Sequence, residues 1–206
     1  TPEKLAARKI MLDGKWPGRG CEHCKHIEDS GGISDRMLHL DFPGISAPPE
    51  LDSDLTAINV TPRLLEIYFS NTCNLKCLYC TPNFSSQINA ENLKFGPFTK
   101  NGVQIPAYQA IPDEIVEATD KMFEWLDKNI HSLDRLMILG GEPFIQKETQ
   151  RLLDFIKERQ LPNLALVLFS NLTIQHDKFK QQIDQLQELK TTSKLNQVNL
   201  IGSLDC

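Results

Sequence analysis

Long apolar runs are missing from this chain of 206 residues. No stretch approaches the roughly 18 consecutive apolar residues of a membrane-spanning helix, so we expect no membrane association. The N-terminal residues Thr1 to Lys4 lack the apolar core of a signal peptide. A basic excess is missing too, because the net charge is −5 and the lysines and arginines form no stripe. These absences argue against a membrane protein and against nucleic acid as the main partner.

The cysteines are few and unevenly placed, with six in the chain. Cys21 and Cys24 form one pair, and Cys73, Cys77 and Cys80 form a tight group. A disulfide framework spreads its cysteines along the chain, whereas such close clusters are typical of metal binding. Because thiols that bind iron require a reducing compartment, we expect a cytoplasmic protein.

The group of three thiols follows an apolar run at 64–69 and reads Cys73-Asn-Leu-Lys-Cys77-Leu-Tyr-Cys80. Three thiolates can hold three corners of a [4Fe–4S] cluster, which normally takes four cysteines. The fourth iron is then open to a small molecule, as in catalytic rather than structural metal sites. A structural zinc site is the alternative, but it needs a fourth ligand that the loop does not offer.

A second motif lies about sixty residues further on, where a short apolar strand at 136–139 ends. It reads Gly140-Gly141-Glu142-Pro143. Two glycines at a strand end allow another group to approach the backbone closely. The glutamate can accept from an ammonium group, and the proline turns the chain toward the next helix. The alternative is a plain strand-to-helix turn.

Taken together, the C-x3-C-x2-C spacing and the later Gly-Gly-Glu-Pro resemble the radical S-adenosylmethionine (SAM) enzymes over about residues 60–206. The resemblance implies that Cys73, Cys77 and Cys80 hold a [4Fe–4S] cluster. It further implies that a low-potential donor of flavodoxin or ferredoxin type reduces this cluster, which then cleaves bound SAM. The products are methionine and a 5′-deoxyadenosyl radical, which abstracts hydrogen from a substrate.

The resemblance also implies a set of SAM contacts, mostly just after strands. They are Tyr79, Gly140, Gly141, Glu142, Pro143, Ser170, Asn171, Ser203 and Asp205. Within this set, Tyr79 lies near the adenine, Glu142 accepts from the SAM ammonium group, and Ser203 and Asp205 reach the ribose. Leu172 departs from the family, which usually has a glycine there. Core packing or ordinary polar loops are the alternative interpretation of these residues.

The fold class is predicted as α/β. Strands at 64–70, 135–139, 164–169 and 197–203 are continuous apolar runs separated by amphipathic helices, a pattern that indicates a parallel sheet covered by helices. The resemblance implies a partial (βα)6 barrel, truncated after about four strands. Because segment 81–111 is too long for an ordinary connection, we expect a functional lid or insertion there.

From the two ends of the sequence we expect the chain to be a piece of a longer protein. The chain starts without methionine, and it stops just as an apolar strand emerges. An edge strand left unpaired at a chain end is unfavourable. We expect the final residue, Cys206, to be a free thiol.

Three segments are predicted along the chain: a small irregular Cys-containing piece at 1–40, a Pro-rich linker at 41–60, and the catalytic core at 61–206. The sequence around Cys21-Glu-His-Cys24 resembles the C-terminal end of a SPASM or twitch auxiliary-cluster domain. That resemblance implies an auxiliary [4Fe–4S] cluster that needs further ligands, and it favours a peptide or protein substrate over a small molecule. Zinc is the alternative metal for this pair.

Two functions from other classes stay open at this point: a zinc-binding interaction module, and a non-catalytic iron–sulfur electron carrier. The first predicts zinc in the purified protein. The second needs a fourth cluster ligand and no SAM pocket. The Gly-Gly-Glu-Pro step argues against both.

Overall fold

The computed structural model describes residues 2–18, 20–40, 61–109 and 112–203. The chain divides into two compact units, Thr1–Thr61 and Pro62–Cys206. The predicted linker at 41–60 lies outside the described residues, so the three predicted segment boundaries stay a prediction. No helix of the described part of the chain is both long and apolar enough to cross a membrane.

The first unit contains three helices in its described residues. Helix α1 spans Pro2–Leu12, α2 spans Glu22–Asp29 and α3 spans Asp35–Leu40. The predicted irregular Cys-containing segment is not confirmed, since Cys24 lies within α2. Cys21 is the N-cap residue of α2, and the acidic Glu22 in the first turn complements the positive end of the helix dipole.

The second unit alternates strands and helices. Its elements are β1 (Leu64–Tyr68), α4 (Ser86–Phe95), β2 (Phe98–Lys100), β3 (Val103–Ile105), α5 (Pro112–Asn129), β4 (Arg135–Leu139), α6 (Lys147–Lys157), β5 (Ala165–Ser170), α7 (His176–Thr192) and β6 (Gln197–Gly202). Short 3-10 turns lie at Ile130–Ser132 and Pro143–Ile145.

Four strands form one parallel sheet in the order β1-β4-β5-β6. Tyr68 pairs with Leu139, and Ser170 pairs with Gly202, so the carboxyl ends of all four strands meet at one edge. The predicted α/β class and the four parallel strands are confirmed, and they fit a partial barrel.

The hydrophobic core joins the sheet to the apolar faces of α5, α6 and α7. Its fully buried side chains include Leu126, Leu136, Leu152, Leu166 and Leu189. Burial of this kind contributes roughly 1.5–3 kcal/mol per large apolar side chain before entropy is subtracted. The loops at the carboxyl edge are thus built on a packed scaffold.

The long segment at 81–111 contains a helix and two strands in its described residues 81–109, and its function as a lid or insertion stays a prediction. Its α4 is followed by an antiparallel hairpin in which Phe98 pairs with Ile105. The hairpin turns at Asn101 and Gly102, which both have positive φ. An Asn-Gly pair with two positive φ angles is the signature of a two-residue hairpin turn, and this signal was present in the sequence.

Polar side chains rather than an apolar stripe hold this insertion together. Asn89 donates to the carbonyl oxygen of Tyr108 at 3.1 Å and accepts from its backbone N–H at 2.7 Å. Asn92 is buried and donates to the carbonyl oxygen of Ile105 at 2.8 Å. Hydrophobic periodicity cannot detect contacts of this type.

Candidate active site

An open cavity of about 420 Å³ lies at the carboxyl edge of the parallel sheet. All three cysteines of the C-x3-C-x2-C loop line it: Cys73, Cys77 and Cys80. Six other predicted site residues line it as well: Tyr79, Gly140, Gly141, Ser170, Asn171 and Ser203. The structure thus brings together two motifs that lie about sixty residues apart in the sequence.

The first turn of α4 braces the cysteine loop. Ser86 Oγ accepts from the backbone N–H of Cys73 at 3.1 Å and donates to its carbonyl oxygen at 3.2 Å. Ser85 caps α4 by accepting from the N–H of Ile88, and its hydroxyl donates to the carbonyl oxygen of Leu75 at 2.7 Å. The insertion therefore fixes the position of the first cysteine, which is buried.

The two glycines after β4 allow the chain to pack tightly against the start of that same loop. Gly141 has a φ of +54°, and a Cβ there would lie 2.3 Å from the carbonyl oxygen of Thr72. The next N–H, that of Glu142, donates to the same oxygen at 2.8 Å. The close approach predicted for the glycines is thus made by the cysteine loop itself.

Gln146 is a site residue that the sequence did not reveal. Its side chain is buried, and Nε2 lies within hydrogen-bonding distance of three carbonyl oxygens: Gly140 at 3.0 Å, Ser70 at 3.3 Å and Thr72 at 3.4 Å. These oxygens belong to the ends of β1 and β4 and to the cysteine loop. A glutamine just before a helix has no distinctive pattern, so only the structure identifies it.

Glu142 is fully buried and joins the ends of two strands. One carboxylate oxygen accepts from the N–H of Phe144 at 3.2 Å and from Ser170 Oγ at 2.8 Å. The other accepts from the N–H of Asn171 at 2.8 Å. Glu142 and Pro143 are buried and do not line the cavity. The protein thus already supplies three donors to this carboxylate, and its contact with a SAM ammonium group stays a prediction.

The loop after β5 has a conformation that normally favours glycine. Leu172 has a φ of +57°, in the left-handed region, where a side chain is disfavoured. Its N–H donates to Ser170 Oγ at 3.0 Å, which offsets part of that cost. The backbone thus keeps the shape expected of a glycine even though the residue is leucine.

Tyr79 and Ser203, both predicted to contact SAM, lie next to each other. The tyrosine hydroxyl and Ser203 Oγ are 2.9 Å apart. Lys100 of the hairpin donates to the carbonyl oxygen of Tyr79 at 2.8 Å, which ties the insertion to the cysteine loop. Asp205 lies outside the described residues, and its role stays a prediction.

The donor set of the cavity fits an iron–sulfur cluster. Its described lining contains three thiols and no carboxylate or histidine, and soft thiolates select iron–sulfur clusters, zinc or Cu(I). Within the described ranges, no three Cys, His, Asp or Glu side chains are arranged to hold a single metal ion. A single zinc requires its thiolates within about 2.3 Å of one point, whereas a four-iron cluster takes one cysteine per iron and spaces them further apart.

The cysteine pair of the first unit lies beside an ion pair. Cys21 and Cys24 are both half-buried. Arg36 and then Ser34 hold the pKa of Glu28 below its ordinary value by hydrogen bonding. The Arg36 guanidinium also lies 4.6 Å from the centre of the Trp16 ring.

A parallel sheet with three thiols of one loop at its carboxyl edge defines an α/β protein with a thiol-lined cavity. A family model described as "Radical SAM superfamily" matches residues 67–200. The chain therefore belongs to the radical SAM superfamily. A search of the curated proteins found no significant match, and neither did a search of the solved structures.

Proposed function

We propose that this chain carries the cluster-binding and SAM-binding part of a radical SAM enzyme. The observation that supports this most directly is that the three thiols and the strand-end glycines line one cavity. Cys73, Cys77 and Cys80 would hold a [4Fe–4S] cluster. When bound and reduced by a low-potential protein donor, such a cluster would supply the electron that splits SAM into methionine and a 5′-deoxyadenosyl radical.

The chain's own residues would bind SAM in this cavity. The cavity is of a size typical for small-molecule sites, which run to roughly 300–1,000 Å³. Backbone groups of Gly140 and Gly141 would meet the amino group of SAM, and Tyr79 with Ser203 would meet its nucleoside end. The rings of Tyr68 and Phe84 lie 5.5 Å apart and supply apolar surface to the lining.

Product analysis tests this proposal directly. The protein is reconstituted anaerobically with iron and sulfide, reduced with dithionite in the presence of SAM, and assayed for 5′-deoxyadenosine. We expect one equivalent of methionine for each 5′-deoxyadenosine. A loaded cluster without product would favour an electron carrier, and zinc in place of iron would favour the interaction module.

We propose for the first unit that Cys21 and Cys24 supply two ligands of an auxiliary [4Fe–4S] cluster, as in a SPASM or twitch domain. Both thiols lie at the N-terminal end of α2, half-buried and held one turn apart. Two thiols are half of the four that a cluster takes, so the remaining ligands must come from elsewhere. An auxiliary cluster favours a peptide or protein substrate over a small molecule.

Metal analysis of a variant that lacks the first cluster tests the auxiliary site. With Cys73, Cys77 and Cys80 all changed to alanine, in a preparation that supplies the remaining ligands, we expect about four irons per chain to remain, as one cluster requires. Adding Cys21→Ala and Cys24→Ala should remove them. Zinc in the triple variant, or no metal at all, would contradict an auxiliary cluster.

A further inference from the structure

The side chain of Asn171 turns toward the cysteine loop. Its Nδ2 lies 3.8 Å from Cys73 Sγ, within range of an N–H···S hydrogen bond, and 2.9 Å from Asn74 Oδ1. The two hydrogens of this amide can serve both acceptors at once. The residue therefore reaches directly from the end of β5 to a cysteine predicted to bind the cluster.

Asn171 is held in this orientation from three sides. Its N–H donates to the buried carboxylate of Glu142 at 2.8 Å. Its Oδ1 accepts from the N–H of Thr173 at 2.9 Å and from Thr173 Oγ1 at 2.7 Å. With the oxygen occupied in this way, the NH2 group must face Cys73 and Asn74. The orientation of the amide is thus fixed by its own partners.

Cys73 differs from the other two cysteines in its surroundings. It is buried, and its sulfur accepts from the N–H of Leu75 at 3.5 Å as well as from Asn171. Cys77 and Cys80 are half-buried, and Cys80 Sγ lies 3.8 Å from the carbonyl oxygen of Thr81. Hydrogen bonds to ligand sulfurs and burial are two of the factors that set the potential of an iron–sulfur cluster. Asn171 controls one of them.

We propose that Asn171 is a positioning residue that sets the reduction potential of the cluster through its N–H···S bond to Cys73. The inference rests on the proposed function, since it requires a cluster on this loop. The step it affects is the one-electron reduction of the cluster by an external low-potential donor, and no bond at Asn171 forms or breaks. Because the reduced cluster carries one more negative charge, a donor to its sulfur stabilises the reduced state more than the oxidised state.

Glu142 gains a role in this arrangement. Its buried carboxylate orients the backbone of Asn171 and thereby the amide that meets Cys73. The Gly-Gly-Glu-Pro motif is in this way connected through the end of β5 to the cysteine motif. The fully buried Glu142 side chain thus has a structural function behind the cavity.

Redox titration of the reconstituted protein tests the inference. Asn171→Leu keeps the size of the side chain and removes its donors. We expect the ratio of reduced to oxidised cluster to fall about tenfold at a fixed ambient potential, which corresponds to about 59 mV for one electron. Asn171→Asp keeps the oxygen that accepts from Thr173 and replaces the donor with a negative charge, so the fall should be larger. The signal is the electron paramagnetic resonance of the reduced cluster.

Asn74→Ala is the matched control. It removes the neighbouring amide, which donates to the carbonyl oxygen of Thr173 at 2.8 Å and accepts from Asn171 Nδ2 at 2.9 Å, but it leaves the donor of Asn171 that faces Cys73 in place. We expect Asn74→Ala to change the ratio of reduced to oxidised cluster less than about twofold. A general loosening of the loop would instead change this ratio equally in all three variants.

The outcomes separate this inference from the proposed function. A wild-type protein that takes up no cluster would overturn both. If the wild-type protein binds a cluster but Asn171→Leu and Asn171→Asp leave the ratio of reduced to oxidised cluster unchanged, the inference alone is overturned. The same holds if Asn74→Ala changes this ratio as much as the Asn171 variants do. Either Asn171 variant suffices for the decision if the other fails to fold.

Discussion

Cys77→Ala should abolish the formation of 5′-deoxyadenosine. Under the proposed function, two thiols would be too few to hold a cluster with one iron open to SAM. Changes to residues that only support metal ligands already cost 10–100-fold, so we expect the loss of a ligand to cost at least about 100-fold in product. The measurement is product per chain after anaerobic reconstitution, together with iron content.

Leu78→Ala is the control for this prediction. The neighbouring side chain of Leu78 is fully exposed, at 100 % of its reference area, and does not line the cavity. Its loss should leave iron content and product unchanged. If Cys77→Ala retained a full cluster and wild-type product, Cys77 would not be a ligand, and the assignment of the loop would fail.

The parallel sheet could be predicted because its strands are continuous apolar runs between amphipathic helices. β5 shows the reason: four of its six residues in a row, Ala165–Leu168, are buried apolar side chains. The insertion could not be predicted in the same way. Its contacts run from Asn89 and Asn92 to backbone atoms of Tyr108 and Ile105, and such contacts leave no periodic trace.

The structure brings Cys73, Gly141 and Ser170 to one cavity, while their contacts with a cluster and with SAM stay predictions. The sequence did not reveal that Gln146 donates to the carbonyl oxygen of Gly140 or that Glu142 accepts a hydrogen bond from Ser170 at the end of β5. Those contacts depend on which strands are neighbours, and the order β1-β4-β5-β6 becomes visible only in the folded sheet.

Gly141 contributes both to the stability of the fold and to the position of the cysteine loop. We expect Gly141→Ala to lower the stability and to displace Cys73. The left-handed φ of +54° costs an alanine about 1–2 kcal/mol. The added Cβ would also lie 2.3 Å from the carbonyl oxygen of Thr72 and 2.7 Å from Gln146 Nε2. A backbone oxygen cannot rotate away as a side chain can, so Thr72 must move and must carry the adjacent Cys73 with it.

We expect Gly141→Ala to lower the free energy of unfolding by about 2–5 kcal/mol, the sum of the backbone term and a typical overpacking term. Fluorescence of Trp125 during urea unfolding, in a Trp16→Phe background, reports on the core unit without the first one. The bound iron should fall as well, because Cys73 is displaced.

The variant Gly102→Ala separates the cost of backbone strain from the cost of steric overlap. Gly102 also has a positive φ, +78°, but nothing lies within 4 Å of a Cβ at that position. It should cost only the backbone term of about 1–2 kcal/mol and should leave the iron content unchanged. Equal losses of stability and iron in the two variants would mean that the contact between Gly141 and Thr72 does not position Cys73. A loss of iron confined to Gly141→Ala would establish that the two motifs form one site through this backbone contact.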